Sequence, residues 1–269
     1  MTQLNRAVVL ITGAGGGFGT EFVKQLLQAN SRLILSDFDR DTLEEKIATI
    51  RPQITTGEII SCLAADLSDR NASENLYNRV KALNIPVDIL INNAGIGLLG
   101  RIDEVPTEKW EQLMQVNLIA PMALSALFVR NMIERRQGHI VNISSLAGWF
   151  APKGLAHYSA SKFGLRGFSE GLLNDVKAYN VKVTAVYPYF SRTPILNSPS
   201  YGTLAKTNKG FPVELATDPA QVIEEILKGI IRDRPLVFPD TTARQVYFLK
   251  RYFPRLFNWI SEQTLRNFD

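Results

Sequence analysis

The chain has 269 residues, 45% hydrophobic and 21% charged, the balance of a globular protein long enough to bury a core without staples. Its one cysteine, Cys62, excludes an internal disulfide and, inside an apolar run, reads as a buried strand residue rather than a nucleophile. The net charge of +4 and pI ≈ 9.1 suit an anionic cofactor or a membrane surface, but no Lys/Arg-rich block marks a nucleic-acid binder.

Apolar strand-like runs alternate with amphipathic helical stretches along the chain. The strands are expected at 8–12, 32–36, 59–63, 87–91, 139–143, 182–186 and 236–238. Helical patterns fall at 20–29, 42–50, 72–83, 107–135, 158–179 and 219–231. Such alternation predicts βαβ units, right-handed crossovers and one parallel sheet covered on both faces. The fold class is therefore α/β: a single doubly wound Rossmann-type domain over 1–269, with about seven strands. Residues 190–215, rich in Pro, Ser, Thr and Asn, are expected to form a substrate loop. From residue 242 an aromatic and basic tail follows as a candidate helix. The N-terminal apolar run is too short for a signal segment, and the stretch after Asn117, broken by Pro121 and Ser125, falls short of a bilayer span. A cytoplasmic location is the default expectation.

The first strand runs into Thr12-Gly13-Ala14-Gly15-Gly16-Gly17-Phe18-Gly19 and then a helix. Glycines there let the backbone turn and approach a pyrophosphate, and the helix N-terminus offers free N–H groups. Asp37 closes the second strand, where an acid bonds ribose hydroxyls and repels a 2′-phosphate, favouring NAD over NADP. Arg40 nearby pulls the other way. Asp66, past the third strand, caps either the adenine site or a helix. Asn92-Asn93-Ala94-Gly95 ends the fourth strand in small residues suited to a closely packed cofactor.

Tyr158 and Lys162 stand four residues apart and share one helix face. A phenol is a poor base near neutrality, and a neighbouring ammonium is expected to pull its pKa down toward the working range. Ser144 and Ser145 end the fifth strand, at the carboxyl edge of the sheet where ligands bind, so one of them can meet a substrate oxygen. Asn117 is a polar residue in an apolar helical stretch and needs a partner. His139 and His157 lack carboxylates or cysteines at ligand spacing, so no metal site is expected.

These residues resemble the short-chain dehydrogenase/reductase family, in its non-extended branch, from about Ala7 to Phe238. The glycine pattern Gly13-xxx-Gly17-x-Gly19, the Asn-Asn-Ala-Gly stretch and the quartet Asn117, Ser145, Tyr158 and Lys162 carry the resemblance. It implies that Ser145 polarises the substrate oxygen and Tyr158 is the acid/base. Lys162 would tune Tyr158 and hold the nicotinamide ribose, and Asn117 would hold a proton-relaying water. The cofactor set implied is Gly13, Gly17, Phe18, Gly19, Asp37, Asp66, Asn93, Gly95, Tyr158, Lys162, Pro188 and Thr193. Tyr189 departs from the family's usual Pro-Gly, placing a bulky ring beside the nicotinamide site.

The expected activity is NAD-dependent interconversion of an alcohol and a ketone or aldehyde on a lipophilic substrate. The competing readings are an NADPH-dependent carbonyl or acyl-thioester reductase and an inert cofactor-binding regulator. A homodimer or homotetramer is expected through the helices of Asn117 and Tyr158, using Leu118, Leu124, Leu127, Phe163, Phe168 and Leu172. The tail can meet a membrane through its rings and cations. However, Pro254 interrupts it and its apolar residues form no single stripe, which favours packing of the rings on the domain.

Overall fold

The computed structural model describes residues 1–207 and 213–266, with backbone alone at 207, 213 and 261–266. Apolar runs rich in Val, Ile and Leu pair in parallel as β1 (Val8–Thr12), β2 (Arg32–Asp37), β3 (Glu58–Ala64), β4 (Ile89–Asn92), β5 (Gly138–Ile143), β6 (Val181–Val186) and β7 (Leu236–Val237). Their order across the sheet is β3-β2-β1-β4-β5-β6-β7. The chain reverses direction of travel between β1 and β4, and the crevice outside their carboxyl ends is where such sheets bind ligands.

Side chains alternate between two cores. Val9 and Ile11 of β1 face α1 (Gly17–Gln28), α2 (Arg40–Ile50) and α8 (Pro219–Ile231), meeting Phe22, Leu26, Leu43, Ile223 and Ile226. Val8 and Leu10 face the other layer, built on α3 (Ala72–Lys81), α5 (Ala120–Arg135) and α6 (Ala156–Val176). The central strands are covered on both sides, hence their uninterrupted apolar sequences. The edge strand β3 is only partly covered, and Cys62 is half-buried there, its thiol pushed up by burial and so unreactive.

Three expectations are revised. First, the helical stretch 107–135 is interrupted: α4 (Thr107–Met114) and α5 are joined by a π-helical turn at Gln115–Ile119 around Asn117. That whole stretch is also long and apolar enough, by length and composition, to cross a bilayer, with half of its most apolar window buried. It serves as a core helix, since Leu124, Phe128 and Met132 pack on the sheet. Second, β4 begins at Ile89 rather than 87. Asp88 instead accepts the Val8 N–H at 3.0 Å and pairs with Arg135 at 3.1 Å. Third, the loop 190–215 carries short helical turns at Pro194–Asn197 and Val213–Leu215 and the one-turn helix α7 (Gly202–Thr207), while 208–212 lies outside the described residues.

The tail forms two helices, α9 (Thr241–Tyr252) and α10 (Pro254–Arg266), separated at Phe253 because Pro254 cannot continue the ladder. Asp240 starts α9. One carboxylate oxygen accepts the Ala243 N–H at 2.7 Å and the other the Tyr189 N–H at 3.0 Å, so the tail is tied to the end of β6.

Candidate active site

The glycine loop sits between β1 and α1, as the sequence requires. Gly13 has φ +64°, and a Cβ there would lie 2.8 Å from the Ala94 Cα. At Gly19 a Cβ would come within 2.1 Å of the Gly13 carbonyl, so only glycine lets α1 pack this close to the loop. The loop is fastened from β4. Asn93 Nδ2 donates to the Thr12 and Gly13 carbonyls at 3.0 and 2.9 Å, and Thr12 Oγ1 accepts the Asn93 and Ala94 N–H groups at 3.1 Å.

Asp37 reaches the same loop, accepting the Gly15 N–H at 2.7 Å and the Phe38 N–H at 2.8 Å. Lys46 donates to the Gly15 carbonyl at 2.6 Å from the opposite side. Arg40 turns away and pairs with Glu44 at 2.6 Å on the exposed face of α2. Asp66 is exposed and accepts the Ser68 N–H at 3.0 Å, closing a turn rather than capping α3, whose N-cap is Asn71. Phe18 packs into the core beneath the loop. Thr193 lies against Gly17, where a Cβ would meet its Cγ2 at 2.6 Å, so the start of the substrate loop closes over the glycine turn. Pro188 is buried at the end of β6 and its carbonyl accepts the Leu146 N–H at 3.0 Å.

At the carboxyl edge of β5 the two serines diverge. Ser144 donates to the Lys162 carbonyl at 3.0 Å and serves α6. Ser145 accepts the Ala147 N–H at 3.1 Å, and its hydroxyl acts on the Tyr158 phenol, opposing the rise of its pKa. Lys162 is buried, donates to the Ile143 carbonyl at 3.0 Å, and holds its nitrogen 5.7 Å from the Tyr158 ring centre. Gly95 adjoins the same place: a Cβ there would stand 3.6 Å from Lys162 Nζ and 3.4 Å from Asn117 Oδ1. The fold thus gathers Ser145, Tyr158, Lys162 and Asn117 around the end of β4 and β5.

The surroundings of Asn117 and Tyr158 bear on their expected roles. Asn117 is fully buried, with Oδ1 accepting the Ile96 N–H and Nδ2 donating to the Ile96 carbonyl, both at 2.9 Å. Both ends of its amide staple the β4 loop to the π-helical turn. Tyr158 does not have a lowered pKa in the bare chain. Burial pushes its phenol up to about 12 against the opposing Ser145 hydrogen bond, and burial pulls Lys162 down to about 8. Desolvation disfavours both charged forms, and it outweighs the expected attraction across this distance.

Several contributors escaped the sequence reading. Asn92 Nδ2 donates to Asn142 Oδ1 at 2.8 Å and to Ser125 Oγ at 3.1 Å, and Asn142 Nδ2 donates to Ser169 Oγ at 2.8 Å. This buried chain of contacts locks β4, β5, α5 and α6 together beneath the site. Its signal was present: two asparagines in strands that are otherwise apolar. The ring of Tyr189 joins a cluster behind the site, where Trp149 meets Tyr187, Phe238 and Tyr247. Tyr189, expected beside the nicotinamide site, packs toward that cluster and lies edge-on to Phe190 at 5.0 Å.

Comparison with known proteins fits this geometry. The profile of the short chain dehydrogenase family matches residues 7–201. The chain is 33% identical over 267 residues to a Dehydrogenase/reductase SDR family protein 7-like of Drosophila melanogaster, covering 96% of this chain and 80% of that one. It is 32% identical over 233 residues to the 3-ketodihydrosphingosine reductase of Mus musculus (84% and 68%), and 28% over 253 residues to the Estradiol 17-beta-dehydrogenase 11 of Rattus norvegicus (93% and 80%). Among solved structures, a short-chain dehydrogenase from Sphingobium yanoikuyae in complex with NADPH superposes with a TM-score of 0.77 at 26% identity, covering 89% of this chain and 91% of that one. One from Burkholderia phymatum in complex with NAD gives 0.80 at 24%, covering 95% and 96%, a likeness of fold. The chain belongs to the short-chain dehydrogenase/reductase family and is an oxidoreductase of CH–OH groups that works with NAD or NADP.

Proposed function

We propose that this chain interconverts a lipophilic alcohol and its ketone or aldehyde, with NAD as the preferred dinucleotide and Tyr158 as acid/base. The observation that carries the reading is the convergence of Ser145, Tyr158 and buried Lys162 at the carboxyl edge of the sheet, with Lys162 Nζ 5.7 Å from the Tyr158 ring centre. The glycine turn, kept tight by Gly13 and Gly19, leads straight into the N-terminus of α1 and fits a pyrophosphate. A bound nicotinamide supplies the hydride acceptor or donor. In oxidation, Tyr158 Oη takes the proton of the substrate hydroxyl while the hydride leaves the carbinol carbon. In reduction, it returns a proton to the carbonyl oxygen. Ser145 Oγ holds that oxygen, and the Lys162 ammonium favours phenolate and grips the ribose. Tyr158 sits among Leu98, Val105 and Leu113, with Trp110 and Tyr201 beside them, walls suited to an apolar substrate. The names of the mouse and rat relatives, a ketodihydrosphingosine reductase and an estradiol dehydrogenase, agree with that class.

Tyr158→Phe tests the mechanism: turnover should vanish while NADH still binds, as read by its fluorescence. Turnover like that of the parent chain would end the proposal. The NAD preference rests on Asp37 at the ribose end and on Arg40 being tied to Glu44. Titration with NADH and NADPH decides it, each tenfold difference being about 1.4 kcal/mol. Tighter NADPH binding would favour the reductase reading, with Lys46 at the Gly15 carbonyl as the cation responsible.

We also propose a homodimer or homotetramer built on α5 and α6. Leu124 is spent on the monomer's core, but Ile119, Met122 and Phe163 remain exposed, and Gly167 and Gly171 present open backbone beside Phe163. Light scattering at micromolar concentration should give a multiple of the chain mass, and a monomer would refute this assembly.

A further inference from the structure

The two tail helices divide their rings between two sides. Inward, Tyr247 stacks on Phe238 at 4.2 Å and meets Trp149 at 4.6 Å edge-on, while buried Phe257 meets Phe150 at 5.3 Å. These contacts hold the tail on the domain, as the break at Pro254 favours. Outward, Phe248, Tyr252, Phe253 and Trp259 each keep more than half of their surface in solvent, and Leu256 nearly half. The Phe248 ring gathers those of Tyr252 and Phe253 at 5.0 and 5.9 Å. Trp259 lies two residues beyond Phe257, roughly 200° around the helix and so on the opposite side. Anchoring the tail thus uses only part of its apolar surface. Four large rings and a leucine left in water, three of the rings in contact around Phe248, form exposed apolar surface of the kind that marks an interaction surface.

The charges indicate the partner. Residues 241–260 hold Arg244, Lys250, Arg251 and Arg255 and no Asp or Glu. Among the described side chains, no carboxylate pairs with any of the four. Arg244 and Lys250 bond neutral oxygens, on the Asp240 backbone and the Asn258 side chain. Rings interleaved with cations fit the boundary between acyl chains and anionic headgroups. The location supports this partner: Trp149 and Phe150, on which the tail rests, follow Ser145 closely in the chain, so a surface that receives the tail lies beside the site's aromatic wall.

We propose that α9 and α10 dock the enzyme on an anionic phospholipid membrane, with Phe248, Phe253 and Trp259 entering the headgroup region and Arg251 and Arg255 pairing with headgroup phosphates. The interaction does not depend on turnover and is read without it. The full chain should float with phosphatidylcholine vesicles containing phosphatidylserine, much less with phosphatidylcholine alone, and be released by molar salt. Arg251→Gln with Arg255→Gln should weaken partitioning about thirtyfold, at roughly fivefold per cation near an anionic surface. Phe253→Ser with Trp259→Ser should abolish flotation. Both pairs should leave the melting temperature and NADH binding unchanged, since these side chains are exposed. A readout that needs no stable variant is quenching of tryptophan fluorescence by doxyl-labelled lipid in the parent chain, absent in Trp259→Phe. Failure of the intact chain to float with anionic vesicles at low salt overturns the proposal. So does a lipid-free oligomer that Phe253→Ser with Trp259→Ser dissociates, which would make the patch a contact between copies of this chain.

Discussion

Lys162 shows how burial sets chemistry one side chain at a time. Its pKa is pulled down to about 8 by burial, so the ammonium proposed to grip the ribose is lost as pH rises through that value. Dinucleotide affinity should therefore weaken above about pH 8, and Lys162→Met should remove both the affinity and its pH step in a fluorescence titration. Tyr158 faces the opposite problem, its phenol held near 12 by burial with only Ser145 opposing. Ser145→Ala removes that help and the donor to the substrate oxygen together. A loss of about 10²-fold in kcat is expected, the usual cost of one such donor, with NADH binding retained. At Gly17 the constraint is spatial. Gly17→Ala drives a Cβ into Thr193, so the substrate loop must move, and KM for substrate should rise more than the melting temperature falls.

At the scale of elements, the site depends on polar links between strands and helices. The Asn92–Asn142–Ser169 chain of hydrogen bonds crosses from β4 through β5 to α6, entirely out of solvent. Asn142→Ala strands Asn92 Nδ2 and Ser169 without this partner and should cost about 1–3 kcal/mol in denaturant unfolding. Since α6 carries Tyr158 and Lys162, turnover should fall further than cofactor binding does. The π-helical turn belongs to the same logic. An extra residue in the ladder turns Asn117 toward Ile96 and binds the α4–α5 helix to the β4 loop, a frequent use of such bulges at functional sites.

For the whole molecule, the N-terminus is tied to the far end of the chain. The Met1 ammonium pairs with Asp233 at 3.0 Å, and Thr2 contacts both Asp233 and His139. His139 is buried against Thr184 and held down to about 4, chiefly by desolvation, so it is neutral in the folded state near neutrality. The unfolded chain takes up a proton near pH 6.5 and the folded one only near 4. Stability should therefore fall as pH drops through that window, by up to about 3 kcal/mol. Replacing His139 with Gln should flatten this dependence in pH-resolved melting. An unchanged slope would mean that carboxylates elsewhere dominate.

Much of this protein is local and was legible in its sequence. Central strands buried on both faces must be continuous apolar runs, and the edge strands kept enough of that pattern for all seven to be found within a few residues. A glycine loop between the first strand and helix has one geometry, and Gly13, Gly17 and Gly19 lie in that loop. The helical spacing of Tyr158 and Lys162 fixed their shared face, and the resemblance chose Ser145, whose hydroxyl acts on the Tyr158 phenol. What only the tertiary structure decided concerns solvent and distant partners. Ser144 and Ser145 are chemically alike, and only the packing of α6 sends one to the Lys162 carbonyl and the other to Tyr158. The phenol's pKa rises rather than falls because burial is a property of the assembled core, not of residues four apart. The tail's rings look equivalent in sequence, yet contact with Trp149 and Phe150 buries part of them and leaves the rest to water. Periodicity reports which side chains share a face, whereas desolvation and pairing depend on what the rest of the chain brings to that face.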